Sequence, residues 1–264
     1  MYIKDNVDLY ITGSNAMLLS SELATLLSGK YIEIKMLPLS FKEYKSYYKN
    51  LSNIQLYNKY ITFGSFPYTI NFESDDDISL YLSSIYNTIL LKDIMIRKGI
   101  SDELMLKSVS NYVLDNVGNL LSTNNIANTM TSAGRKINVR TIEKYYVSDL
   151  GLRYFILGRK VGDYGHVLEN IVYLELIRRG YEVYIGKVED YEVDFVAINN
   201  EGKTYIQVCE TLKSENNSTL IRKLNSLKRI NDNYGKIILT FDDVPISNEE
   251  GIIIRNVLDW LLDK

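Results

Sequence analysis

The sequence holds one cysteine and one histidine among its 264 residues, and each scarcity excludes a class of chemistry. With Cys209 alone no internal disulfide framework can form, which fits a reducing compartment. With His166 alone, catalytic histidine pairs and histidine-rich metal sites are excluded. Positive charge is not in excess either. The net charge is -3 and the sequence pI about 5.4, so no global field draws the chain onto nucleic acid or an anionic membrane, and any such contact must be local. No uncharged apolar run is long enough to span a bilayer, and residues 1–14 lack the basic segment and apolar run of a signal peptide. The cytoplasm is the expected location, with no membrane partner. Finally, no segment matches G-x-x-x-x-G-K-S/T, the loop whose backbone amides cradle phosphates while its lysine neutralises them. A complete nucleotide-hydrolysing site is therefore not expected.

What is present suits a folded protein: 46% hydrophobic and 24% charged residues are too apolar for disorder. The length allows two or three small domains. Residues 9–12 read as a strand ending in the turn Gly13-Ser14-Asn15, residues 16–27 as a helix closed by Gly29, and residues 31–37 as a strand stopped at Pro38. A helix over 41–48 follows, and its Tyr44, Tyr47 and Tyr48 read as amphipathic packing. A parallel β-α-β unit is buried on both faces and needs further strands. Either another chain completes this sheet or the unit is the remnant of a longer one.

Across 51–150 no strand is expected. Residues 80–97 and 104–121 carry apolar residues at helical spacing. A shorter helix pair follows: Ser122 or Thr123 caps one helix through Met130, Gly134 permits a turn, and Asn138 caps a second through Ile142 and Tyr145. Glycines from Gly158 to Gly165 suggest a linker. Beyond it come a helix over 167–178, strands over 182–185, 192–198 and 204–209, a helix over 220–230 and a strand over 236–241. The order is α-β-β-β-α-β. A strand over 252–254 and a helix over 256–262 close the chain.

The phrase LYITGSNAMLLSSELATLLSGKYIEIKMLPLSFKEY (residues 9–44) resembles the sensor region of prokaryotic AAA-type ATPases that carry a C-terminal domain of unknown function. YNTILLKDI from Tyr86, SDLGLRYFILG from Ser148, HVLENIVYLELIRRGYEVYIGK from His166 and EVDFVA from Glu192 agree with it. The resemblance implies that Thr12, Ser14 and Asn15 correspond to the sensor of the γ-phosphate and attacking water. On residue type alone, a helix cap at Ser14 or Asn15 is the plainer reading. Lys30 stands where the family often has arginine, and an ammonium does not reproduce a guanidinium fork on phosphate. ATP and magnesium are the parent family's cofactors; none is expected for this chain by itself beyond weakly held magnesium.

The helix pair around 123–146 resembles the helix-turn-helix of a winged-helix domain, with Arg135, Lys136, Arg140 and Lys144 placed for DNA phosphates. A plain solvated hairpin is the alternative. The passage from Tyr146 to Asp149 is short for that family and leaves little room for a wing. The C-terminal order is similar to the PD-(D/E)XK nuclease core. By that resemblance the acidic, aspartate and E-x-K positions map to Glu169, Asp194, Gln207 and Cys209. Asp194 lies in an otherwise apolar strand, which is costly unless its carboxylate is paired or metal-bound. Glu169 and Asp194 are the candidate magnesium ligands. An amide at 207 and a thiol at 209, however, supply neither the negative charge nor the ammonium of E-x-K.

The expected fold is therefore α/β in three parts: a partial parallel-sheet ATPase remnant (1–50), a helical winged-helix-like segment (51–160) and a nuclease-like α-β-β-β-α-β domain (161–264). The expected function is a non-catalytic module binding nucleic acid or protein. The alternatives are an ATPase subunit whose phosphate loop comes from a partner, and a weak metal-dependent nuclease. DNA, and a protein that completes the first sheet, are the partners implied.

Overall fold

The computed structural model describes residues 10, 32, 34–88, 94–122, 142–158, 164–213 and 218–263. The sensor-like Thr12, Ser14 and Asn15, most of the first β-α-β unit, and Arg135, Lys136 and Arg140 lie outside the described residues. The chain divides into two compact units, Met1–Met36 and Leu37–Lys264, and every described helix and strand belongs to the second.

Two capped helices open that unit, α1 (Phe41–Tyr47) and α2 (Asn53–Phe63). Ser40 Oγ accepts from the Glu43 amide while the Glu43 carboxylate accepts from the Ser40 amide, and Ser52 with Gln55 repeats the arrangement. Reciprocal caps of this kind satisfy amides that a helix start leaves bare. Tyr44 and Tyr60 meet edge to face in the interior at 5.2 Å, whereas Tyr47 is exposed. Three helices follow: α3 (Asp75–Ile85), α4 (Ile94–Lys98) and α5 (Glu103–Asp115).

The expectation of no strand across 51–150 is corrected here. Helix α5 stops at Asp115, Gly118 takes φ +78°, and β1 (Leu120–Ser122) then pairs antiparallel with β2 (Ile142–Lys144). Leu120 falls in register with the helical pattern that precedes it, so local periodicity ran past the turn. The partner strand is some 20 residues away in sequence, which no helical window covers. The second helix expected through Ile142 and Tyr145 is replaced there by β2.

Helix α6 (Leu150–Leu157) is capped by Asp149, and α7 (Tyr164–Arg178) leads into the main sheet. Its strands are β3 (Glu182–Val188), β4 (Tyr191–Asn199), β5 (Gly202–Cys209), β6 (Gly235–Thr240), β7 (Ser247–Glu249) and β8 (Ile252–Asn256), in the spatial order β3-β4-β5-β6-β8-β7. β3, β4 and β5 form an antiparallel meander, β5-β6 and β6-β8 are parallel, and β7 pairs antiparallel with β8. Helix α8 (Ser218–Lys228) makes the crossover from β5 to β6, and α9 (Val257–Leu262) ends the described chain. The α-β-β-β-α-β order read from periodicity is thus the order present. β7 was not expected: all three of its residues are exposed and carry no apolar alternation.

Helix α7 buries Leu168, Val172 and Leu176 against Phe195, Ile206, Val208 and Leu239, and Phe41, Tyr44 and Leu56 of α1 and α2 enter the same core. Each such side chain contributes about 1.5–3 kcal/mol on burial. Val167 and Ile171 face inward on the same helix, and the stripe continues through Val172 and Leu176, while Leu174 is half-buried. Behind the sheet, α8 covers a second cluster of Val193, Tyr205, Cys209 and Ile238. Among the described residues no helix is long and apolar enough to cross a membrane.

Candidate functional site

The candidate residues converge where β4 and β5 part. Their pairing runs from Asn199↔Gly202 to Phe195↔Ile206, so Asp194 stands just past the end of the ladder. There its Oδ2 accepts the Val208 amide at 2.7 Å. The same oxygen lies 2.7 Å from Lys223 Nζ of α8. Lys223 also donates to Gln207 Oε1 at 2.5 Å. Gln207 is 1% exposed, and its Nε2 donates to the Glu192 carbonyl at 2.8 Å and to Ser226 Oγ at 2.7 Å. Ser226 Oγ in turn donates to the Lys223 carbonyl at 2.9 Å. The polar atoms of this buried chain are therefore matched to one another, which is the condition for such a network to be tolerated.

A second arm comes from β2 and the residues after it. Lys144 Nζ is 2.6 Å from Glu169 Oε1 and 3.1 Å from Glu192 Oε1, and its side chain is 4% exposed. Tyr146 donates its hydroxyl to Glu169 Oε1 at 2.6 Å, and its ring stacks on Tyr173 with centroids 4.1 Å apart. Asn170, fully buried, then imitates a neighbouring strand: its Oδ1 accepts the Val147 amide at 2.7 Å and its Nδ2 donates to the Val147 carbonyl at 2.9 Å. Residues 144, 146 and 147 are thus zipped to residues 169, 170 and 173 of α7.

Electrostatics follow from burial and neighbours. Burial, then the nearby Asp194, hold the Glu169 carboxyl above its ordinary value against the pull of Lys144. Burial opposes charge on Lys144, but Glu169 and Glu192 outweigh it and keep the ammonium above its usual range. The Tyr146 phenol is driven far up by burial and by Glu169, so it remains a donor. Burial pushes the Cys209 thiol up to about 11, which leaves it inert as a nucleophile or soft ligand at neutral pH.

The structure thus brings Glu169, Asp194, Gln207 and Lys144 into one neighbourhood. Lys144, expected on a helix facing phosphate, instead ends a strand and turns its ammonium inward. His166 lies in the first turn of α7. Lys223, Tyr146, Glu192, Asn170 and Ser226 were not anticipated. For Lys223 a signal existed: it lies three residues after Leu220 and four before Leu227, on the apolar stripe of α8, where a lysine demands a partner.

A resident divalent ion does not fit these residues. Each candidate carboxylate is already engaged by an ammonium and by a further donor, and the Gln207 carbonyl is taken by Lys223. Among the described residues no three His, Cys, Asp or Glu side chains are grouped to hold a metal. Nor does the nearest relative of a phosphate loop, AINNEGKT at 197–204, form one. Ala197 pairs with Thr204 across the β4–β5 hairpin, so its amides serve the sheet.

Comparison with known proteins adds the following. Residues 1–45 match the family model of an AAA domain, and residues 54–146 match a domain of unknown function (DUF8612). The chain is 38% identical over 293 residues to an uncharacterized protein of Haemophilus influenzae, covering 97% of this chain and 71% of that one. It is 31% identical over 280 residues to an uncharacterized protein of Methanocaldococcus jannaschii, covering 89% of this chain and 63% of that protein. No solved structure matches.

Proposed function

The chain belongs to the family of the Haemophilus influenzae protein and carries an AAA-like, ATPase-related region at 1–45, and from that premise we propose that it acts by binding rather than by catalysis. In this reading the region from α7 onward is a PD-(D/E)XK-like fold whose acidic centre is closed by lysines, and it serves a nucleic-acid or protein-binding module of an AAA-type ATPase-family protein. The mixed sheet, with an antiparallel meander followed by an α8 crossover into a parallel strand, supports the kinship. The carrying observation is that both acidic positions, Glu169 and Asp194, are already neutralised by buried ammonium groups. A carboxylate so engaged is a poor metal ligand and a poor activator of water.

The test is direct. The protein is incubated with plasmid and oligonucleotides in magnesium or manganese beside an Asp194→Ala variant, and no cleavage above background is expected. Cleavage that the variant abolishes would establish the weak nuclease instead. ATP turnover should also be absent, since no phosphate-cradling loop is present in the sequence; turnover lost in Asn15→Ala would overturn that part. Duplex binding, where measured, should fall steeply with salt and depend on Arg135, Lys136 and Arg140. Lys144 is spent on Glu169 and Glu192 and should add nothing through its charge. Absence of duplex binding would leave the protein-binding half of the proposal.

A further inference from the structure

The two lysines of the acidic centre come from unrelated parts of the chain. Lys223 lies on α8, inside the fold that carries Asp194 and Gln207. Lys144 lies on β2, within the stretch matched by the domain of unknown function. Both reach the same neighbourhood and both are buried there. We infer that Lys144 and Lys223 are the resident cations of this centre, filling the positive positions a divalent metal would need, so that the centre neither requires nor admits a metal ion. The inference rests on the nuclease-like reading only for the choice of carboxylates compared.

The geometry supports the substitution atom by atom. Lys223 Nζ touches Asp194 Oδ2 and Gln207 Oε1, the oxygens at the second- and third-strand positions. Lys144 Nζ bridges Glu169 Oε1 and Glu192 Oε1. Three carboxylates, at 169, 192 and 194, face two ammonium groups, and the residual charge falls on Glu192, whose side chain is 45% exposed and can rely on water. An incoming magnesium ion would have to compete with two buried ammonium groups for Glu169 Oε1 and Asp194 Oδ2. It would also have to shed waters it gives up reluctantly. The site is balanced without it.

Removing one ammonium should reverse that balance, because it leaves a buried carboxylate uncompensated. Methionine keeps most of the lysine stem and none of its charge. The experiment uses the full chain, melted in EDTA and in millimolar magnesium or manganese, with manganese uptake followed by electron paramagnetic resonance. Wild type is expected to melt at the same temperature in all three and to take up no manganese. Lys144→Met and Lys223→Met are expected to melt several degrees lower in EDTA, to regain part of that loss in manganese, and to take the ion up. Adding Glu169→Gln to Lys144→Met should restore the melting temperature in EDTA, because the charge left behind is then gone. That double variant also covers the case in which Lys144→Met fails to fold. If it stays unfolded, the loss was packing and the inference fails. Wild type that takes up manganese at a site destroyed by Asp194→Ala overturns the inference, as do methionine variants that melt like wild type or stay blind to manganese. Wild type that takes up manganese yet cleaves nothing would end this inference while leaving the non-catalytic reading intact.

Discussion

Glu169 illustrates how a single side chain can be both paired and strained. Its carboxyl is held above its ordinary value of 4.5, first by burial and then by Asp194. A folded-state value above the unfolded one means that the folded protein binds more protons between the two. Stability from this group is therefore complete below 4.5 and is lost as pH rises through the folded value. Against Glu169→Gln, wild type should lose ground in urea midpoint over that rise, apart from a constant offset from Lys144, which keeps only Glu192; a parallel pair of curves would contradict the direction. Cys209 gives a second residue-scale prediction. Buried and with its thiol pushed up to about 11, it should react with a disulfide reagent at least about a hundredfold more slowly in the native protein than in urea. Rapid native labelling would mean that the core beneath α8 opens readily.

At the scale of elements, the crossing of α2 and α6 depends on having no side chain at one place. A Cβ on Gly151 would lie 2.4 Å from the Gly64 amide nitrogen and 2.5 Å from the Phe63 carbonyl carbon, both backbone atoms that cannot swing aside. Asp149 locks the same junction, with its carboxylate accepting from the Ser65 amide at 2.6 Å and from the Leu152 amide at 3.0 Å. Gly151→Ala should thus destabilise the protein by about 1–3 kcal/mol or more through overpacking, read as a shift in urea midpoint at unchanged slope. An unshifted midpoint would show that the helices slide freely. β1 and β2 teach a related lesson. They are three-residue strands with almost no periodic signal, and Lys144, Tyr146 and Val147 tie the second of them to Glu169 and Asn170 of α7.

For the whole molecule, all buried hydrophobic clusters among the described residues fall within the unit Leu37–Lys264. A unit with its own core should fold independently. A chain starting at Leu37 is expected to unfold in one cooperative transition, with stability within about 1 kcal/mol of the full chain, the deviation expected of independent contributions. Far-ultraviolet circular dichroism during urea unfolding measures this, and a non-cooperative or strongly destabilised fragment would show that residues 1–36 are part of the fold. The AAA-like match lies over residues 1–45, so such a fragment also removes most of the ATPase-related region while leaving the lysine-closed centre intact.

The sequence by itself determined the elements whose pattern is local. The strands over 192–198 and 204–209 and the helix over 167–178 were legible because strand pleat and helix turn each repeat within a few residues. It also singled out Asp194, since a carboxylate in an apolar strand must have a partner. The tertiary structure alone decided who that partner is. Lys223 is 29 residues from Asp194 and Lys144 is 25 from Glu169, distances over which neither helical nor strand periodicity carries information. Even where a lysine interrupts an apolar stripe, as Lys223 does, the sequence does not say which acid answers it. Only the packing of α8 against the sheet, and of the Lys144 side chain between Glu169 and Glu192, removes the water, and with it the choice.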